Sequence, residues 1–481
     1  MPLEHAAGPE HATGPERSPG LRRDCLSFVE VVAQSVANIA PTATPALIIP
    51  GVFAAAGNAA WEAYAFATVA LLLVTYHINQ FARRSASPGA LYTFVGQGMG
   101  PSWAVVSGWS LVVAYLVTGC AVLCGSANYA GVLAQALFGA SLTLPLTIAA
   151  FAIVALAAWY LSYSDVELST KFMLVLEGIS VGVVLVLAFV FYIKTGRVVD
   201  AHQFSLSGVT GGGFVQGLVL AYFSFVGFES ATALGHEAKE PLRSIPRSVL
   251  VTVLAVGAFF TFMSYTLVSG FEGYATSLGQ SNQPMTELAR IAGLPFFGTL
   301  FALGATVGQF ACAVACVNAG ARVIYAMSKH GLVHASAAGT HETHATPHVA
   351  VTISALIVFV TPLIMVLSHV ALLNAFLYLG FVATFGFLFA YILVSVASPM
   401  FLRRRGEPAS TAIVMSVLSV AMLAVATVGS VVLNPAPPYN YLPYVFLALI
   451  LIGGLRFVYV RLKEPALVAD IAADLVGDVA G

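Results

Sequence analysis

About twelve apolar runs of near-helical-span length follow one another along this chain, and they fix the solvent before any motif is read. They lie near 28–56, 61–82, 102–133, 142–162, 168–193, 212–234, 247–270, 296–328, 348–368, 371–398, 411–433 and 441–460. A hydrocarbon core about 30 Å thick is crossed by a helix of about 20 residues. The composition agrees: 59% of the residues are hydrophobic and 9% charged, where a soluble domain carries roughly 25% charged residues. The expected fold is an all-α integral membrane protein with about twelve transmembrane helices.

Charge placement supplies the topology. With the N-terminus inside, all but Lys194, Arg197 and Arg290 of the 20 lysines and arginines fall on cytoplasmic segments, the positive-inside pattern. An even number of spans puts both termini in the cytoplasm. The stretch 1–26 is polar, carries the near-repeat Glu4-His5-Ala6-Ala7-Gly8-Pro9 and Glu10-His11-Ala12-Thr13-Gly14-Pro15, and reads as a disordered tail with no signal peptide. Residues 27–400 read as a ten-helix core, 401–463 as two further helices and 464–481 as a cytoplasmic tail. The net charge of −1 offers nothing to a nucleic acid.

Two spans are interrupted. The first carries Pro41, Pro45 and Pro50, and the sixth carries Gly227 and Glu229. Proline removes a backbone donor and clashes with the preceding turn. Non-helical backbone at membrane depth persists only where protein buries it or a polar cavity receives it. Spans one to five and six to ten can be laid over each other as inverted halves, each beginning with an interrupted helix, and such a matched pair points to a transporter's binding site. Cys120/Cys124 in the third span and Cys312/Cys316 in the eighth repeat one i,i+4 spacing.

Several stretches resemble the amino acid–polyamine–organocation superfamily of secondary transporters. These are Ser85-Ala86-Ser87-Pro88-Gly89-Ala90-Leu91-Tyr92 with Gly108-Trp109, Phe223-Ser224-Phe225-Val226-Gly227-Phe228-Glu229-Ser230 through Glu237-Ala238-Lys239-Glu240-Pro241, and Arg322-Val323-Ile324-Tyr325-Ala326-Met327-Ser328 with Thr346-Pro347-His348. The likeness covers roughly residues 27–400. It implies a five-plus-five inverted repeat with helices one and six broken, two extra helices, and substrate held between the breaks. Many members have Gly-Ser/Thr-Gly at the first break. Here the residues are Ala43-Thr44-Pro45, so one expected N–H donor is missing.

For an amino acid, the substrate carboxylate is expected at the first break, on backbone N–H groups of Ala43, Thr44 and Ala46 and the hydroxyls of Thr42 and Thr44, because the half-helix beginning near Ala46 offers free donors and a positive dipole end. The ammonium is expected on carbonyls of Phe223, Ser224 and Phe225, with Gly227 allowing close backbone approach. The resemblance casts Phe223 as an aromatic gate and Glu229 as a brace for the break and inner gate. Glu177, an acid within the fifth span, is the candidate for coupling, since intramembrane charge tends to mark function. Tyr115 and Asn318 face the bundle, as a substrate contact or as helix–helix hydrogen bonds. The cysteine pairs read as packing rather than a four-thiolate metal site, and His341, His344 and His348 as a solvated loop.

The reading is a secondary active transporter, not an enzyme, that imports amino acids across the plasma membrane by alternating access. The cargo is expected to be neutral, because few fixed charges line the pocket. Coupling is assigned to protons, with sodium as the other ion considered. An exchanger or a polyamine/amine carrier is the alternative; a channel or an integral-membrane enzyme lacks its pattern here. No cofactor or metal is expected.

Overall fold

The computed structural model describes residues 21–164, 166–433, 437–465, 468 and 471. The expectations for residues 1–20 and for most of the 464–481 tail lie outside that range. Fifteen helices follow in order: α1 (Phe28–Ile39), α2 (Ile49–Ala56), α3 (Ala60–Ala82), α4 (Leu91–Met99), α5 (Pro101–Phe138), α6 (Leu144–Ser164), α7 (Val166–Thr195), α8 (Gly211–Phe223), α9 (Pro241–Phe271), α10 (Pro284–Ile291), α11 (Pro295–Lys329), α12 (His348–Leu367), α13 (Leu372–Arg404), α14 (Ser410–Val432) and α15 (Leu442–Lys463). Among the described residues the backbone forms no strand, only an isolated bridge between Leu26 and Ala238.

By length and apolar composition, ten stretches among the described residues suffice to cross a membrane. One of them, Phe28–Ala82, has 55 residues. At 1.5 Å per residue that is far too long for one crossing, and it divides at the turn between α2 and α3 into two crossings, the first of them broken after α1. With the interrupted segment that begins with α8, the count returns to twelve.

The inverted repeat shows in the order and lengths of the elements. Each half opens with a broken helix (α1 with α2; α8 with a 3₁₀ turn at Ser230–Leu234). A long helix follows, α3 or α9. Next comes a short helix, α4 with 9 residues or α10 with 8, and then the longest helix of that half for α5, with 38 residues, matched by α11 with 35. Helices α14 and α15 pack outside the repeat. Ser419 of α14 bonds to Ser395 of α13 at 3.0 Å, and Trp109 of α5 donates to the Leu449 carbonyl of α15 at 2.7 Å.

Two ends can be told apart by their contacts. At the basic end, Arg84 pairs with Glu407 at 2.6 Å and Arg404 donates to the Gln97 carbonyl at 3.2 Å. Arg84 foremost, with Arg405 beside it, holds the Glu407 carboxyl below the usual carboxylate range. At the opposite end, Asn58 donates to the His202 carbonyl and Trp61 to the Gln203 carbonyl, both at 3.1 Å.

Candidate functional site

Helix α1 stops because Ala40 turns into the left-handed region, at φ 49° and ψ 68°. Regular helix resumes at Ile49, after a wide π-helical turn at Thr44–Ile48. Pro45 sits at the start of the π-helical turn, where a missing N–H removes nothing the helix would have used. Thus the half-helix begins at Thr44, two residues earlier than Ala46. The Ala43 N–H, expected to be free, donates to the Ala40 carbonyl at 2.8 Å. The hydroxyls of Thr42 and Thr44 are fully buried and find no hydrogen-bond partner among the described residues.

The second break is a run of tight turns more than an open strand. Val226 N–H donates to the Phe223 carbonyl at 3.3 Å and Phe228 N–H to the Phe225 carbonyl at 3.2 Å. Of the three expected carbonyls, Ser224 alone takes no backbone donor among the described residues. Gly227 makes the reversal at φ 88°; a Cβ there would lie 1.7 Å from Asn38 Nδ2. Glycine is required twice over, by conformation and by space.

That approach joins the breaks. Ser230 Oγ donates to the Gln34 carbonyl at 3.3 Å, and Ala231 N–H to Ser35 Oγ at 3.1 Å. The thiols of Cys312 and Cys316 reach the Asn38 main-chain and side-chain oxygens at 3.1 and 3.2 Å, and Cys120 Sγ approaches the Ile357 carbonyl at 3.5 Å. These three thiols serve helix ends and helix packing.

Glu229 is fully buried and held by two tyrosines. Tyr115 of α5 donates to Oε1 at 2.8 Å, and Tyr391 of α13 donates to Oε2. Tyr115, expected as a substrate contact or as a helix–helix hydrogen bond, therefore spends its hydroxyl on Glu229. Tyr391 was missed from the sequence, since nothing in its span marks which tyrosine meets an acid 162 residues away.

Glu177 of α7 is 2% exposed, and neither carboxyl oxygen has a hydrogen-bond partner among the described residues. A Cβ on Gly308 would stand 2.6 Å from Thr42 Oγ1 and 2.9 Å from Glu177 Oε1, so hydroxyl and carboxyl face one spot on α11. One residue on, the Gln309 carboxamide is buried with neither atom bonded; it lies against Gly125, whose Cβ would be 2.3 Å from Oε1. Gln309 was a second omission, and its signal was a lone amide in an apolar span.

Phe223 packs against α13: its ring centroid is 5.5 Å from that of Phe376, and a Cβ at Gly380 would lie 2.1 Å from its Cζ. Phe225 instead packs edge-on to Phe260 of α9, with centroids 5.1 Å apart. Asn318 lies one turn from Arg322, whose Nη1 donates to its carbonyl at 2.8 Å.

Below the breaks, the basic end is closed. Cys25 and Leu26 N–H both donate to the Glu237 carbonyl at 2.9 Å, and Lys239 N–H returns to the Leu26 carbonyl at 2.8 Å. The Glu237 carboxylate forms a two-point bond with Arg322, at 2.7 Å to Nε and 2.6 Å to Nη2, with both side chains 1% exposed. Arg322, one of the basic residues assigned to the cytoplasmic side, is buried inside the bundle.

A family model described as amino acid permease matches residues 30–461. The chain belongs to the amino acid permease family. Curated relatives include the branched-chain amino acid permease BcaP of Bacillus subtilis, 25% identical over 69% of this chain and 76% of that one. The low-affinity putrescine importer PlaP of Escherichia coli is 26% identical over 59% of this chain and 63% of its own length. Human cationic amino acid transporter 4 is 23% identical over 77% of this chain, the match spanning 60% of that protein. Among solved structures, MhsT in complex with L-phenylalanine superposes with a TM-score of 0.57 at 12% identity, covering 91% of this chain and all of that one. The permease therefore has the inverted-repeat transporter fold, in a multi-pass membrane protein.

Proposed function

We propose that this permease is a secondary active transporter that imports neutral amino acids across the plasma membrane by alternating access, with Glu177 carrying the coupled proton. Residues 27–400 form the transport core, and the basic end faces the cytoplasm with both termini. The observation that carries the reading is at the first break: Thr42, Thr44 and Glu177 are buried with polar side-chain atoms unbonded among the described residues. Such groups are costly in an apolar medium unless partnered. A carboxylate docking at Thr42–Thr44 would partner the hydroxyls, and a proton on Glu177 would remove a charge that no described residue hydrogen-bonds.

The ammonium of the cargo would meet the Ser224 carbonyl, with Phe223 closing over it. Glu229 is committed to two tyrosines, so it acts as a brace for the second break. With Glu229 committed and Glu177 neutral once it carries the proton, the described residues of the pocket offer no standing counter-charge to a second substrate cation, which favours neutral over dibasic cargo. Similarity to a branched-chain amino acid permease supports the neutral reading. Similarity to a putrescine importer supports a second one, an amine carrier. Thermal-shift screening against amino acids and diamines separates them, because a ligand of the folded state raises the melting temperature.

Proteoliposomes test the coupling. Glu177→Gln should abolish accumulation driven by a pH gradient while sparing exchange of labelled for unlabelled substrate. Uptake by the unaltered protein that requires sodium and ignores the pH gradient would refute the role given to Glu177.

A further inference from the structure

We propose that Asp200, His202 and Glu272 form a zinc-class divalent cation site at the end opposite the basic one. Asp200 and His202 lie in the loop joining α7 to α8, and Glu272 directly follows α9. His202 Nδ1 is 2.8 Å from Glu272 Oε1 and 3.6 Å from Asp200 Oδ1, and one ligand atom from each of the three residues lies within 4.8 Å of the other two. Zinc binds imidazole nitrogen and carboxylate oxygen at about 2.0–2.2 Å, which sets tetrahedral ligand atoms roughly 3.3–3.6 Å apart. One printed separation is shorter than that spacing and the other lies at its upper edge, so rotations of the two exposed side chains would seat all three on one ion.

The arrangement goes beyond a surface ion pair because the third ligand is held by outer contacts. The Asp200 side chain is only 4% exposed. Its Oδ2 accepts from Gln203 Nε2 at 2.8 Å, its backbone N–H donates to the Tyr265 hydroxyl at 2.6 Å, and Gln203 is fixed in turn by the Tyr265 carbonyl at 3.0 Å. Outer partners that orient a ligand are characteristic of metal sites. His202 and Glu272 are 78% and 43% exposed, which leaves solvent access for the ion and for a water in the remaining position. A mixed imidazole–carboxylate set suits zinc over calcium or magnesium.

The site sits where an ion would be felt. The same loop is clasped to the joint between α2 and α3, through Asn58 to the His202 carbonyl, Trp61 to the Gln203 carbonyl and the Trp61 ring edge-on to Phe204. A bound ion would tie the end of α9 to that joint, and so to the outer half of the first broken helix. On the transport reading above, this crosslink slows uptake.

The test is zinc content of the full-length protein in detergent, by equilibrium dialysis and elemental analysis. About one equivalent is expected, with affinity at least about ten-fold weaker in His202→Ala and in Glu272→Gln and unchanged in His369→Ala, an exposed histidine elsewhere. Zinc should also raise the melting temperature of the unaltered chain and of His369→Ala alone. No retained zinc, or equal retention in all variants, overturns the site. Zinc-sensitive uptake that His202→Ala relieves extends the site to transport; a bound equivalent with uptake unaltered keeps the site and refutes the crosslink's effect.

Discussion

Gly380 has no side chain, and the ring of Phe223 occupies the space one would fill. A methyl there would stand 2.1 Å from Cζ and 2.2 Å from Cε1, so Gly380→Ala must push the ring off α13. Phe223 is the far end of a side chain and can yield, while the helix backbone at Gly380 is unstrained. Gly380→Ala should therefore fold with a melting temperature within a few degrees of the parent and lose uptake or affinity at least about ten-fold. Normal uptake would mean that Phe223 does not gate. The residues legible in sequence were those whose chemistry clashes with their span: Thr42, Thr44, Glu177 and Glu229 are polar in apolar runs. Their partners were not legible. Tyr391 comes from another helix, and only the packed bundle decides that Glu229 takes two tyrosines whereas Glu177 takes no partner among the described residues. The donor set at the first break was misread for a similar reason: Ala43 closes a local turn on Ala40, a choice that the left-handed Ala40 makes and that no side chain advertises.

At the scale of elements, the apolar runs gave the long helices, and the two breaks gave the inverted halves. The short helices escaped. Helix α4 has 9 residues and α10 has 8, too few to span, and neither produces a run of membrane length. Also hidden was the coupling of the second broken helix to α11 through Glu237 and Arg322. Both charges are about 99% buried; removing one strands the other, which costs about 3–5 kcal/mol, whereas replacing both by apolar residues of similar size is often nearly neutral. Glu237→Met should lower the melting temperature sharply, and adding Arg322→Leu should restore most of the loss. A double variant no more stable than the single one would show that the pair is not the stabilising unit.

Across the whole molecule, the two breaks are sealed, with Thr42, Thr44, Ser224, Glu229 and Glu177 all 2% exposed or less. Carriage by alternating access then requires the basic end to open, and the smallest latch on it is the backbone pairing of 25–26 with 237–239. The bridge between Leu26 and Ala238 brings the two Cα atoms within the range that a disulfide spans. In a chain with Cys25→Ser, to prevent mispairing, Leu26→Cys with Ala238→Cys should cross-link on mild oxidation. Four further cysteines are buried in the bundle and do not compete. The oxidised protein should bind cargo from the opposite end yet transport none, and a reductant should restore uptake. The same treatment should leave either single-cysteine variant active. Undiminished uptake by fully cross-linked protein would place the moving gate elsewhere, since a covalent bond at this latch forbids the separation of α1 from the Ser230–Leu234 turn that inward release demands.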